Sequence, residues 1–520
     1  AAGKSGEPAG VAQLWSKLSP GLQQSLADVP EGKSPDKAVK QQVADELNAL
    51  FALRDVFTDE ALASVDRRTE AGPILRTPAE KRSDDEVFRL NRLVFESLFP
   101  RSVVRSFADV VLMRTTSKLL AIDFSTGKRV WDVPLDPNND PIQRLLQSDG
   151  SGNPGMQTGQ LAAGLGRRLW HDATFGSISS DGRLVFSVED LGVYVAAQNP
   201  YSGVRMVNHQ ANSPLAPKDY NRLAAHDIRT GKRVWKLGGP KGETDQKLAG
   251  LYFLGPPLPL AGQLYVLAES SSEVRLLVLD AASGELAWSQ NLCEARAPIA
   301  AAQYRARSGV SPSYADGVLV CPTSAGAVVA VDLTSRSLLW GYRYSNLEVE
   351  ANTMQMGVFG VNPAMFPNQN EDRWTDSLSI ISDGHALITP IESNELHCLR
   401  LTDGALVWKR PRNDALYAAC VYGGNVILVG KQQTTALKLT DGSEVWKTPM
   451  PEATAHPSGR GFLSENYYYL PLSTAEVACL DLSNGRIVAK SKARSERAPG
   501  NLICFKGTVL SQGVDYLESF

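Results

Sequence analysis

The spacing of apolar and polar positions changes character once along the chain. Over residues 1–100 it is helical. Ser34-Pro35 sets an N-cap before a proline at the first helical position, and Val39, Val43, Leu47 and Leu50 follow on one face. A second helix is expected from Ser83-Asp84, carrying Val87, Leu90 and Val94 and stopping before Pro100. Such amphipathic helices must bury a stripe, against the next domain or a partner. From Arg101 the period becomes two, that of a half-buried strand. The run GSISSDGRLVFSVED, followed later by NRLAAHDIRTGKRVWKLGG, reads as four short strands. Asp-Gly and Thr-Gly supply the positive φ of its tight turns.

The end of that unit recurs. AIDFSTGKRVW (Ala121 to Trp131) is followed by AHDIRTGKRVW, VLDAASGELAW, AVDLTSRSLLW, CLRLTDGALVW and ALKLTDGSEVW, ending at Trp235, Trp288, Trp340, Trp408 and Trp446. A seventh copy, CLDLSNGRIVA, ends at Ala489. The first residue is small because it lies in a packed interior. The Asp satisfies turn donors, the Gly makes the turn, and the Trp fills the space to a neighbouring unit. Repeated four-stranded antiparallel units form the blades of a β-propeller. Seven phrases and a last unit, NLICFKGTVLSQGVDYLESF, predict eight blades over 101–520, preceded by a helical segment over 1–100. The last unit offers three strands. Its fourth is expected from a segment before blade 1, near Gly72 to Thr77, or from chain beyond Phe520, where further domains are also expected.

AxDxxTGxxxW resembles the tryptophan-docking motif of the pyrroloquinoline-quinone (PQQ)-like repeat family, over about 420 residues. That resemblance implies an eight-bladed propeller. It leaves function open, because the family includes quinoprotein alcohol and glucose dehydrogenases, a scaffold lipoprotein of outer-membrane assembly, and large exported bacterial proteins of unassigned function.

Composition narrows the field further. The 520 residues carry a net charge of −3 with no basic block, so the footprint of a nucleic-acid binder is missing. No apolar run approaches the ~18 residues of a membrane span. The opening AAGKSGEPAG fits a mature end after signal cleavage and equally a chain shortened at its start; an exported protein, periplasmic or extracellular, is expected. The six Cys show no CxxC or zinc spacing. Cys398 and Cys479 take the small first position of the phrase, and Cys420 and Cys504 lie in the next strand, each before a turn Gly. They read as small buried hydrophobes, or as two disulfides of an exported protein.

Candidate chemistry gathers where the unit is interrupted. Insertions occur at 136–172, 190–221, 292–312 and 344–376, in blade-to-blade connections or between second and third strands. Both kinds of loop emerge on one face, and long loops on a rigid scaffold carry function. Near the same rim, Glu189, Glu269 and Glu392 close the second strands of blades 2, 3 and 5. Converging carboxylates suit calcium; otherwise they are solvated strand ends or acceptors for loop amides. Trp170, His171 and Asp172 pair an aromatic with acid–base groups, and Arg373-Trp374 invites the same reading; both sets serve equally as loop anchors. Tyr201, Tyr220 and Tyr304 are further aromatic contacts for a glycan or peptide. GQLAAGLG lacks the Lys-Ser/Thr of a phosphate loop, and neither HExxH nor GxSxG occurs.

The expected function is therefore a non-catalytic binding scaffold that offers its loop-rich face to a protein or ligand, with no catalytic residue and no cofactor assigned. The alternative implied by the resemblance is a PQQ- and calcium-dependent dehydrogenase of alcohols or sugars. The adjacent cysteine pair of many such alcohol dehydrogenases is missing here, and their calcium ligands have no residue-by-residue match.

Overall fold

The computed structural model describes residues 89–90, 93–95, 110–115, 118–134, 168, 172–191, 218–242, 245–344, 373–375, 377–493, 496–505, 508–513 and 517–519. They form eight antiparallel sheets in chain order, an eight-bladed β-propeller. Blades 2 and 4 to 7 each have four strands, running outward from Ile178–Ser180, Ser313–Ala315, Ser379–Ser382, Ala415–Tyr422 and Phe462–Ser464. In blade 3 both Tyr252–Phe253 and Leu258–Leu260 pair with Gln263–Ser270.

Blade 1 departs from expectation. Leu93–Phe95 pairs with Val110–Arg114, and Arg89–Leu90 pairs with Leu93–Phe95, so strands stand where a helix through Leu90 and Val94 is expected. The β-prone Leu-Val-Phe run has an open strand edge beside it, and tertiary pairing overrides a weak helical spacing. The first expected helix and Gly72 to Thr77 lie outside the described residues.

The repeated phrase builds the outer half of each blade by a fixed register. Its first residue pairs with its eleventh: Ala121 with Trp131, Ala225 with Trp235, Cys479 with Ala489. Its second pairs with its ninth, so the tenth is squeezed out as a β-bulge in all seven copies. That bulge turns Val130, Val234, Leu339, Val445 and Val488 to solvent, and in the first four the Trp that follows is turned inward, buried or half-buried. The turn Asp behaves as expected: the Asp123 carboxylate accepts from the Thr126 amide at 2.8 Å and from both neighbouring hydroxyls. Those donors hold its pKa below the usual carboxylate range.

Each Trp crosses to the following blade. Indole Nε1 of Trp131, Trp235, Trp340, Trp408 and Trp446 donates to the carbonyl of Ile228, Ala281, Leu401, Leu439 and Leu482, at 2.7–3.2 Å. The acceptor is always the fourth residue of the next phrase. The phrase glycine of that next blade lies flat on the ring. A Cβ at Gly231, Gly284, Gly404, Gly442 or Gly485 would stand 2.5–2.9 Å from an indole carbon. Glycine is thus required twice over, for its left-handed φ and for the room it leaves.

The seams hold the core. One continuous apolar cluster spans blades 2 to 4 through Phe186, Trp235, Tyr252, Tyr265 and Leu319. The ring closes where Val111 and Met113 of blade 1 pack on Ile503, Phe505 and Leu510 of blade 8, with Phe124 edge-on to Phe505 at 4.9 Å. Blade 8 has three strands among the described residues, Asn501–Phe505, Thr508–Gln512 and Leu517–Ser519, so closure rests on face-to-face packing there. None of the six cysteines forms a disulfide; Cys398 is buried opposite Trp408 as a small residue.

Candidate functional site

The described ends of all four insertions meet. Arg168, from the connection between blades 1 and 2, donates through Nη2 to the Leu191 carbonyl at the start of the second insertion, at 3.0 Å. Four residues on, Asp172 caps the short helix Ala173–Gly176 by accepting the Phe175 amide at 2.9 Å. That helix is tied to the third insertion: the Ala173 amide donates to the Arg307 carbonyl at 3.0 Å, and Thr174 Oγ1 accepts the Gly309 amide at 3.0 Å. Arg373, from the fourth insertion, lays its guanidinium 3.7 Å from the ring centroid of Tyr304 in the third. The described ends of the four insertions therefore interlock on one face of the propeller.

Arginine does most of the anchoring. Seven arginines are buried among the described residues: Arg114, Arg168, Arg305, Arg307, Arg373, Arg412 and Arg460. Six lie on blade-to-blade connections and Arg114 ends the second strand of blade 1, so all seven belong to this face. Arg114 and Arg168 sit 4.1 and 4.6 Å from the Phe175 ring centroid, and Arg460 4.5 Å from that of Tyr417. Planar guanidinium suits this role, since it stacks on a ring and still donates at its edge. Arg373, for instance, also donates to the Ile391 carbonyl at 3.2 Å. The sequence signal for this device is an Arg two to six residues before an inner strand, at Arg307, Arg373, Arg412 and Arg460; sequence reasoning missed it.

The three rim glutamates each have a different counterpart. Glu269, 1% exposed, takes two hydrogen bonds from Arg305, Nε to Oε2 at 2.6 Å and Nη2 to Oε1 at 3.2 Å. Glu189 pairs with Lys236 at 2.9 Å and lies 3.9 Å from His226. Burial works to raise its pKa, but Lys236 foremost, with the nearby imidazole, outweighs it and holds the carboxyl low. Glu392 sits beyond the second strand of blade 5, which ends at Ile388, and accepts the Tyr344 hydroxyl at 2.5 Å. Glu269 and Glu392 share one neighbourhood, around Cys293. Burial, reinforced by both carboxylates, pushes that thiol up despite Thr323 and Arg305. Glu189 stands apart in blade 2.

Among the described residues no group of three or more His, Cys, Asp or Glu is arranged to hold a metal. Calcium asks for several oxygens with lone pairs to spare, whereas these carboxylates answer an ammonium, a guanidinium and a phenol. The donor set does not fit, and no step through calcium or PQQ is derived from it.

The remaining candidates among the described residues sit in packed surroundings. Trp374 is buried in the core shared with Trp408, and its Nε1 donates to the Glu395 carbonyl at 3.3 Å. Asp172 is buried beside Arg168, 3.7 Å away; burial raises its pKa, with the arginine opposing. Tyr304 carries Arg373 on its ring and Arg307 at 5.6 Å. Lys218 lies 5.9 Å from the Tyr220 ring centroid. Trp170, His171, Tyr201 and the GQLAAGLG run lie outside the described residues.

With the docked seams and the loop face established, relatives can be placed. The family model described as outer membrane protein assembly factor BamB matches residues 159–358 and 355–503. The chain belongs to this PQQ-like repeat family. No curated protein matches significantly. Similar solved structures include BamB from Moraxella catarrhalis, at 14% identity over 79% of this chain and 91% of that one, with a TM-score of 0.44. A europium-containing methanol dehydrogenase shares 10% identity over 87% and 91%, at 0.48. The quinohemoprotein alcohol dehydrogenase from Comamonas testosteroni shares 12% over 77% and 68%, at 0.43. None of these likenesses bears on activity. No helix among the described residues is long and apolar enough to cross a membrane.

Proposed function

We propose that this protein is a non-catalytic scaffold of an exported compartment that binds a protein partner through its loop-bearing face. The observation that carries this reading is the interlocking of the described ends of all four insertions through buried hydrogen bonds and a guanidinium–ring stack. Charged groups there hold loops in place: Glu269 is tied to Arg305 and Asp172 to the helix it caps. What such a construction offers outward is a preformed shape, which reduces the ordering cost of association. The family description, an assembly factor, agrees with a binding role.

The test has two arms. Titration with PQQ and calcium, followed by absorbance and by dye reduction with alcohols or sugars, is expected to show neither saturable uptake nor turnover; both together would establish the dehydrogenase instead. In the second arm, a partner captured from the exported fraction is identified and its affinity measured. Arg296→Glu and Ala301→Arg, exposed on the third insertion, are expected to weaken binding at least about ten-fold. Lys128→Glu, on a turn of the opposite face, is expected to leave it unchanged. Equal effects from the two faces would refute the assignment.

A further inference from the structure

The face opposite the insertions carries charge of two signs on separate blades. It is built from the turns between first and second and between third and fourth strands, which antiparallel order brings to one side. Lys128 and Arg129 of blade 1 and Arg183, Arg229, Lys232 and Arg233 of blade 2 are all exposed there. The turns that bear them adjoin: Trp131 Nε1 donates to the Ile228 carbonyl at 2.8 Å, and the Ile228 amide to the Arg183 carbonyl at 2.9 Å. Along the chain these cations are separated singles and Lys-Arg doublets, and folding gathers them into one arc. The acids among them face inward. Asp123, Asp181 and Asp227 are half-buried, with oxygens that accept turn amides. Asp132 answers Lys118 and Arg129, whereas Lys128, Arg183, Lys232 and Arg233 make no ion pair among the described residues.

Across the ring the sign reverses. Asp316 of blade 4, Asp383 of blade 5, and Asp441 and Glu444 of blade 6 are exposed on the same face and make no ion pair among the described residues. Fewer cations stand beside them: Lys438, half-buried Arg336, and Arg400, which Asp403 holds at 2.6 Å. Exposed aliphatic side chains flank the turns of both arcs, Val130 and Val234 in the first, Leu339, Leu406 and Val445 in the second. In blades 2 to 8 the turns of this face are five residues or fewer, so no long loop there holds a facing surface away.

We propose that this face joins two copies of the chain, the basic arc of blades 1 and 2 in each copy lying against the acidic arc of blades 4 to 6 in the other. A two-fold axis that lies in the face and bisects the two arcs makes both contacts at once, so the surface is its own complement. The acidic arc also decides between occupants. It would repel an acidic partner large enough to cover the face, and it attracts the basic arc of a second copy. In such a pair the loop-bearing faces point away from each other. The partner surface proposed above stays open in both copies, and the pairing does not depend on it.

The test is sedimentation velocity on the full chain. The protein is expected to run as a dimer at about 0.05 M salt and to shift towards monomer at about 1 M, where the screening length falls to ~3 Å. Lys232→Glu with Arg233→Glu, and separately Asp383→Lys with Glu444→Lys, should each weaken self-association by at least about ten-fold, because like charges then face each other. Glu444→Lys alone, at the start of the strand Glu444–Pro449, should weaken it in part without touching a turn. Mixed together, the two double variants should pair with each other about as tightly as the unaltered chain pairs with itself, since each supplies the sign that the other has lost. A chain that is monomeric at low salt would overturn the proposal. So would a dimer indifferent to either reversal, or double variants that fail to recombine. An acidic polypeptide bound by the unaltered monomer would also overturn it, giving the basic arc to a different molecule.

Discussion

Two neighbouring seams show what the repeated phrase does. Between blades 2 and 3, Trp235 donates to the Ala281 carbonyl at 3.1 Å and lies on Gly284. Between blades 3 and 4 the same Trp, Trp288, meets Arg336 in place of glycine, and its Nε1 has no hydrogen-bond partner among the described residues. Arg336 is held at φ +53°, a conformation that costs a non-glycine residue, with its guanidinium 5.7 Å from the Trp288 ring centroid. The indole alone does not make the seam; a glycine from the following blade is its other half. Blade 3 compensates elsewhere, because its two inner strands and Tyr265 belong to the largest apolar cluster.

The broadest way to break this comparison is to remove the rings. Trp235→Ala leaves a buried void and a carbonyl without its donor, and is expected to cost about 3–5 kcal/mol. Trp288→Ala loses no hydrogen bond and less burial, so its cost should be lower by at least ~1 kcal/mol. Urea midpoints at matched slopes report both. Equal losses would mean that the glycine seat contributes nothing.

A third seam adds acid sensitivity. Between blades 4 and 5, Trp340 docks on Leu401 and Gly404 as usual, but Tyr342 and Tyr344 bring in His397. Its Nδ1 lies 3.2 Å from the Tyr342 hydroxyl, and burial pushes its pKa down to about 4, with Glu395 opposing and Lys409 assisting. The folded state thus prefers neutral imidazole, whereas the unfolded chain takes up a proton near 6.5. Stability is complete above about 6.5 and falls as the pH drops towards 4, by roughly 3 kcal/mol for this group. His397→Gln should flatten that limb of the stability curve. An unchanged slope between pH 6.5 and 4 would place the acid sensitivity elsewhere, His226 being the next group whose pKa burial lowers.

Glycine substitutions sharpen the comparison at smaller scale. Gly442 and Gly384 share φ +70°, but a Cβ would stand 2.7 Å from Trp408 at the first and meet nothing within 4 Å at the second. Gly384→Ala should therefore cost only the left-handed strain, about 1–2 kcal/mol. Gly442→Ala adds displacement of a packed ring and should exceed it by ~1–2 kcal/mol. Fluorescence of the indoles should shift in the second variant alone.

What was legible in the residues follows from how far each interaction reaches along the chain. The phrase is local: Ala121, Asp123, Gly127 and Trp131 share one hairpin, and seven copies leave no other architecture. Its bulge and its second use of glycine are not local, because Trp408 meets Gly442 only after the next blade has formed. Carboxylates were visible at Glu189, Glu269 and Glu392, but their counterparts were not. Arg305 is 36 positions from Glu269, and nothing around either names the other. The helical spacing through Val87, Leu90 and Val94 misled for the same reason, since the strand edge of Val110–Arg114 that captures Leu93–Phe95 lies beyond any local window. Loop length located the elaborated face because insertion positions, unlike partners, are fixed by the order of strands.

The smallest effect tests the pairing rule most directly. Arg336→Gly removes left-handed strain and lets Trp288 approach the turn. It also frees the unfolded chain, and it loses a cation–ring contact worth ~0.5–1 kcal/mol. These contributions oppose one another, so the variant alone should change stability by less than about 1 kcal/mol. The informative quantity is its coupling to the ring. With glycine at 336 the seam has both halves of the device, and Trp288→Ala should then cost more than it does beside arginine, approaching the loss at Trp235. A double-mutant cycle isolates that term from the strain and entropy common to both backgrounds. A coupling of zero would mean that the indole is held by its own blade, and that the close approach of glycine in the other five seams is a consequence of ring closure and not a cause.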